Sequence, residues 1–205
     1  MRINKKKFIY LISPNKIANN NFYNDLVKIF KSKKISFFQL RLKNTMMKKK
    51  ILIGRKVKKI CKKFNVKLII NDDPILTKKL NADGCHLGQK DMNINEARKI
   101  LKKKIIGITC HNSIKLAKIA IRNKVDYLAF GAFNNSKTKK SRYKAKINIL
   151  LSIKKITRIP VVAIGGINSK NYKKLLLNKA NFLAISGYIW NNKKYKPSEA
   201  IEKIK

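Results

Sequence analysis

Short apolar runs alternate along this chain with longer stretches in which apolar residues recur at helical spacing among lysines. The runs predict strands at Phe8–Ser13, Ile35–Arg41, Lys67–Asn71, Gly84–Leu87, Ile105–Cys110, Tyr127–Phe133, Pro160–Ile164 and Phe182–Ser186. The stretches between them predict helices at Asn21–Lys31, Lys48–Phe64, Pro74–Leu80, Asn95–Leu101, Ser113–Arg122, Ile147–Ile156, Ser169–Leu177 and Pro197–Lys203. Continuous apolar strands, each followed by a helix, imply βαβ units and a parallel sheet buried on both faces. Eight such units predict a (β/α)8 TIM barrel, for which 205 residues is short. A doubly wound open sheet is the second choice. No linker or spacer interrupts the pattern, so residues 1–205 are expected to form a single domain.

In a barrel, chemistry gathers at the C-terminal ends of the strands. The third such end reads Asn71-Asp72-Asp73-Pro74, where an apolar run turns abruptly polar and proline stops further pairing. The chain has nine acidic residues, and Asp72, Asp73, Asp83 and Asp91 fall within one short window. Carboxylates at neighbouring strand ends suit Mg²⁺, which takes one or two of them together with substrate phosphate oxygens. The competing reading makes Asp72 or Asp73 a helix cap and Asp83 a turn residue, with no metal. At the second strand end, Arg41 and Lys43 alternate with Leu40 and Leu42, so both cations can face the mouth and hold a phosphate; a solvated strand end is the alternative. His86 reads as a structural residue holding a neighbouring loop. His111 reads as part of a cap on helix five, with Asn112 and Ser113.

The segment Gly131–Lys140 after strand six is a candidate lid, its hydroxyls and ammonium groups able to wrap a phosphate ester; a lysine-rich surface loop is the alternative. Gly165-Gly166 after strand seven stands just before a helix, where glycine lets the backbone approach a ligand and the helix N-terminus favours an anion. With the end of strand eight, it marks the usual phosphate site of such barrels.

Composition changes this picture little. The net charge of +42 invites a polyanion partner. However, only seven of the 51 cations are Arg, the lysines are spread over the whole chain, and Lys, Ile and Asn make up nearly half of it. All three residue types have A/T-rich codons, so base drift accounts for the charge, and no specific nucleic acid is expected. No apolar run approaches the ~20 residues of a membrane span. The opening MRINKKKFIYLIS imitates a signal peptide, but its apolar run is too short and no cleavage site follows. A cytoplasmic protein is expected, and a homo-oligomer is compatible with the sequence. Three cysteines without CxxC spacing argue against a disulfide framework or zinc.

Taken together, QLRLK (39–43), NDD (71–73), ADGCHLGQKD (82–91), IIGITCHNS (105–113), DYLAFGAFNNSKTKK (126–140), IPVVAIGGI (159–167) and FLAISG (182–187) resemble the thiamine-phosphate synthase family over about Ile35–Asn191. The resemblance implies that Gln39, Arg41, Lys43 and Asn71 bind hydroxymethylpyrimidine diphosphate and that Asp72 and Asp91 hold Mg²⁺ on its pyrophosphate. It puts Thr109 near the pyrimidine and Lys139 on the pyrophosphate. Ser136 and Thr138 would contact the phosphate of hydroxyethylthiazole phosphate. Gly165 or Gly166, with Ile185 and Ser186, would complete that second site. Arg41, Lys43 and Lys139 would carry the catalysis, and no general base is required. This chain departs from the family pattern at Leu42, where relatives often carry Glu, and at Asn134–Lys137 in the lid. The rival readings are a thiazole tautomerase-like relative on the same barrel and a nonenzymatic polyanion-binding barrel.

Overall fold

The computed structural model describes residues 7–17, 19–135 and 143–205. Eight parallel strands close a barrel in sequence order, and the open-sheet alternative is excluded. They are β1 (Ile9–Ile12), β2 (Ile35–Leu40), β3 (Lys67–Asn71), β4 (Gly84–Leu87), β5 (Ile105–His111), β6 (Tyr127–Gly131), β7 (Val161–Ile164) and β8 (Phe182–Ile185). The helices are α1 (Asn21–Lys31), α2 (Met47–Lys63), α3 (Pro74–Lys79), α4 (Ile94–Leu101), α5 (Ile114–Arg122), α6 (Asn148–Ile156), α7 (Tyr172–Leu177), α8 (Gly187–Trp190) and α9 (Pro197–Glu202).

Several expected boundaries move. β6 stops at Gly131, not Phe133, because the chain leaves the sheet to begin the following loop. The expected helix from Ser169 starts only at Tyr172. Asn168 and Asn171 first close a turn, with the Asn168 N–H donating to Asn171 Oδ1 (2.9 Å). α8 is an extra single turn after β8.

Strand alternation sorts the apolar residues into two cores. Tyr10, Ile12, Ile69, Tyr127, Ala129, Val162 and Ala184 point into the barrel. Their sequence neighbours, such as Ile9, Leu11, Leu68 and Leu183, point out against the helices. Both faces are buried, which is why the strands read as unbroken apolar runs. Each long helix supplies one stripe to the outer core; that of α1 is Phe22, Leu26, Ile29 and Phe30.

At the N-terminal end of the barrel, three polar residues clasp adjacent strands. The Asp83 carboxylate accepts from the Leu68 N–H (2.8 Å), that of Asp126 from Ile106 (2.8 Å), and the Asn181 amide oxygen from Val161 (2.9 Å). Lys67 and Arg98 reinforce the first two through ion pairs. Asp83 therefore lies at the opposite end from the other three acids of its window.

One glycine makes room inside the barrel. A Cβ on Gly107 would fall 1.9 Å from Cζ of Tyr127, whose ring fills the space beside β5. That ring is held by hydrogen bonds to Tyr10 and His86 and has no free direction in which to retreat. Gly107→Ala is expected to cost about 1–3 kcal/mol of stability through overpacking, read as a lowered melting temperature. An unchanged melt would show that Tyr127 yields.

Candidate functional site

The mouth of the barrel is built around β1, β2, β3 and β4. Ser13, buried at the end of β1, accepts from the Arg41 N–H (2.9 Å) through its hydroxyl, while its own N–H donates to the Gln39 carbonyl (2.9 Å). This fixes the chain where β2 ends. The Arg41 guanidinium then bonds the Asn15 side-chain oxygen, and the Lys43 N–H donates to the Asn15 carbonyl (3.2 Å). Burial pulls the Arg41 pKa down, and the charge of Asp72 pushes it back up. Arg41 therefore faces Asp72 at the end of the adjacent strand, β3. Lys43 is exposed at the rim.

Asp72 and Asp73, adjacent in sequence, do different work. Asp73 is the N-cap of α3: its Oδ1 accepts from the Leu76 N–H at 2.8 Å, with Pro74 in the first turn. Asp72 is thereby left for the mouth. Its backbone is left-handed (φ 63°), and its N–H donates to the His86 carbonyl (2.8 Å), the last pairing between β3 and β4. Asp91 is held by the Gly88 N–H, which donates to its Oδ2 at 2.6 Å. Burial, the hydrogen-bonding contact with Asp91 and the charge of Asp91 push Asp72 up from 3.8 to about 6; Arg41 and the Asn71 side chain oppose this. Two carboxylates, both exposed at the mouth, thus meet beside a guanidinium. A cation binding both would remove their repulsion. Among the described residues no cluster of three or more metal-ligating side chains exists, so this pair is the candidate metal position.

Behind the rim runs a hydrogen-bonded chain. Gln39 Nε2 donates to the Tyr10 hydroxyl (3.2 Å), which lies 2.8 Å from the Tyr127 hydroxyl. Tyr127 lies 2.9 Å from His86 Nδ1, and His86 Nε2 lies 2.9 Å from Thr109 Oγ1. His86 is structural as expected, but it holds a hydroxyl of β5, not a loop. Tyr10 and Tyr127 were not singled out by sequence; the one available signal was a phenol at an inward strand position, which needs a partner when buried.

The β6 loop is anchored on both sides. Its outgoing limb bonds β7, with Phe133 N–H to the Ile164 carbonyl (3.1 Å) and Asn134 N–H to Gly165 (3.1 Å). Its returning limb places Tyr143 in a stack on His111 with ring centroids 3.9 Å apart, and the Lys146 N–H on Asn112 Oδ1 (3.1 Å). The expected cap therefore belongs to Ser113, which accepts from Leu116 (3.2 Å). His111 and Asn112 instead hold the loop. Ser136, Thr138 and Lys139 lie outside the described residues.

Gly165 and Gly166 have φ of 106° and 59°, and backbone atoms of residues 132–135 crowd the places where their side chains would be. The glycines seat the loop base, and α7 begins six residues after Gly166. Ser186 donates to the Ser13 carbonyl (3.3 Å) at the start of α8. The Ile185 side chain packs in the outer core, so only its backbone is turned to the mouth.

The family model for thiamine monophosphate synthase matches residues 9–189. A thiamine-phosphate synthase of Pelagibacter ubique is 69% identical over the whole of both chains. One of Marinobacter nauticus is 39% identical over 73% of this chain and 67% of its own. Among solved structures, the thiamine phosphate pyrophosphorylase from Pyrococcus furiosus superposes with a TM-score of 0.85 at 24% identity, covering 98% of this chain and 94% of that one. A 3-hexulose-6-phosphate synthase shares the fold at a TM-score of 0.64 and 13% identity.

Proposed function

Because the chain belongs to the thiamine monophosphate synthase family, we infer that its barrel mouth couples hydroxymethylpyrimidine diphosphate to hydroxyethylthiazole phosphate and releases pyrophosphate. The observation that carries the reading to this site is the meeting of Asp72 and Asp91 opposite Arg41.

The acid pair fits Mg²⁺. Both donors are hard oxygens, they are two in number, and their mutual repulsion is relieved by a cation. Such an ion supplies positive charge against the leaving pyrophosphate. Arg41 would bind an oxygen of the leaving pyrophosphate, and Lys43 would add a second charge at the rim. Lys139 is assigned the same task from the lid by family resemblance. An electron-rich aminopyrimidine stabilises a methylene cation, so departure of pyrophosphate precedes attack by the thiazole nitrogen. The attacking nitrogen has its own lone pair, and the protein needs no base. Its contribution is charge neutralisation and alignment. Gly165, Gly166, Ser186 and the backbone of Ile185 hold the thiazole phosphate, together with Ser136 and Thr138.

Asp72 gives this reading a pH dependence. Mg²⁺ requires both carboxylates charged, so its affinity falls as pH drops through about 6 and levels off above it. Stability without metal runs the other way. The folded state holds the Asp72 proton to about 6 and the unfolded chain only to 3.8, so stability declines as pH rises through that window. Melting curves at pH 5 and pH 7.5, with Mg²⁺ and with chelator, are expected to show a larger Mg²⁺ stabilisation at pH 7.5. Equal stabilisation at both would remove Asp72 from the metal site.

The tautomerase-like reading is disfavoured by Asp91 beside Asp72, since that branch typically loses the second carboxylate. The polyanion-binding reading rests on charge alone. Among the described residues no helix is long and apolar enough to cross a membrane. Residence in the cytoplasm belongs to the same reading, supported by three buried free cysteines. The test is growth without thiamine of a bacterium lacking its own thiamine-phosphate synthase. Expression of this chain is expected to restore growth; no growth, with soluble protein detected, would overturn the assignment.

A further inference from the structure

The chain Gln39–Tyr10–Tyr127–His86–Thr109 joins five strands across the barrel interior. Its inner members are buried: Tyr10 is 2% exposed and Tyr127 3%. Burial holds both phenols well above their ordinary titration range, so both keep their protons. Hydrocarbon packs beside Tyr10 in the interior, including the stacked ring of Phe37.

Proton counting gives the chain a direction. Each phenol has one proton to give, and a neutral imidazole gives one and takes one. Gln39 Nε2 donates to Tyr10, so the Tyr10 proton goes to Tyr127 and the Tyr127 proton to His86 Nδ1. His86 then carries its proton on Nε2 and gives it to Thr109 Oγ1. This leaves a hydroxyl proton on Thr109 and the Oε1 lone pairs on Gln39 for whatever enters the mouth. Turning the Gln39 amide over reverses every bond and exchanges the two ends. In either sense one end donates and the other accepts.

We propose that Tyr10 and Tyr127 are positioning residues which, through His86, fix the opposed hydrogen-bond polarity of Gln39 and Thr109 so that the interior reads the donor–acceptor edge of an aminopyrimidine. The exocyclic amine of such a ring gives a proton beside a ring nitrogen that takes one. A ring that presents two donors or two acceptors there fits the relay in neither sense, and is disfavoured because buried groups are left unpaired. Gly107 belongs to the device, since the Tyr127 ring occupies the space its side chain would fill. The inference rests on the reading that a pyrimidine diphosphate is the substrate.

The test combines a spectroscopic and a kinetic readout. The chain has two histidines, so ¹⁵N labelling of His gives resonances for His86 and His111, assigned by loss of the latter in His111→Gln. In the wild type, His86 is expected as a single tautomer with the proton on Nε2. Tyr127→Phe keeps the ring but removes the donor to Nδ1. It is expected to mix the tautomers and to raise KM for hydroxymethylpyrimidine diphosphate about tenfold, with a smaller change in kcat. Tyr10→Phe leaves the Tyr127–His86 bond and removes the bonds that the Tyr10 hydroxyl makes with Gln39 and Tyr127. It is expected to preserve the tautomer and still raise KM, and it stands as an independent test if Tyr127→Phe folds poorly. A lowered melting temperature with unchanged tautomer and KM would reduce the chain to a structural element and overturn the proposal. A wild-type His86 protonated on Nδ1 would overturn the stated direction. If the wild type forms no thiamine phosphate, the functional reading fails, while the tautomer measurement still decides whether the relay exists.

Discussion

Asp72→Asn is expected to lower kcat/KM for thiamine phosphate formation by at least about 10²-fold while leaving the fold intact. Substitutions one shell away from a metal typically cost 10–100-fold, so loss of a direct carboxylate sets at least the upper end of that range. Asn is the replacement that isolates the charge. It is one of the few residues that accept the left-handed backbone Asp72 adopts, and it has the same shape. It also removes the like charge facing Asp91, which raises the Asp72 pKa in the wild type. The metal-free variant should therefore melt no lower than the wild-type protein at pH 7.5, and Mg²⁺ should no longer raise its melting temperature. A variant that melts lower and loses activity in proportion would point to a structural role for Asp72. A variant that retains activity and Mg²⁺ stabilisation would remove it from the metal site.

The second large effect is expected for Arg41→Gln, at about 10²–10³-fold in kcat/KM, the range seen when one donor to a developing negative charge is removed. Ser13 holds the backbone of Arg41 in place and Asn15 its guanidinium. The substitution carries a second signature. Arg41 is the charge that pulls the Asp72 pKa down. Without it, the midpoint of the pH dependence of Mg²⁺ binding should move above that of the wild type. Loss of activity with an unmoved midpoint would separate Arg41 from the acid pair and contradict the site as drawn.

The barrel was legible because strands buried on both faces leave continuous apolar runs, and because helices between them show a single apolar stripe. The ends of α1, α4, α5 and α7 fall where expected and those of α2 and α3 one residue earlier, although the left-handed residues after these helices are Lys33, Asn65, Asn81, Lys102, Lys124 and Lys179, not glycine. The boundaries that moved most are the end of β6 and the start of α7. α8 is a single turn, too short to show periodicity.

At the site, the sequence could place Asp72 and Asp73 at a strand end but could not divide their roles. Only the geometry of α3 shows that Asp73 caps it and Asp72 is spared. Asp83 looked like a member of the acidic group because strand β4 is short, so few residues separate the two ends of the barrel. The relay left the weakest trace. Tyr10 and Tyr127 are 117 residues apart, and nothing local to either one indicates that the other completes its hydrogen bonding.

The most direct measurement incubates the purified protein with hydroxymethylpyrimidine diphosphate and hydroxyethylthiazole phosphate, with Mg²⁺ or with chelator, and quantifies thiamine phosphate and pyrophosphate together. The account predicts both products in equal amounts, with Mg²⁺ only. Folded protein that forms neither product, or forms them equally well in chelator, would contradict it.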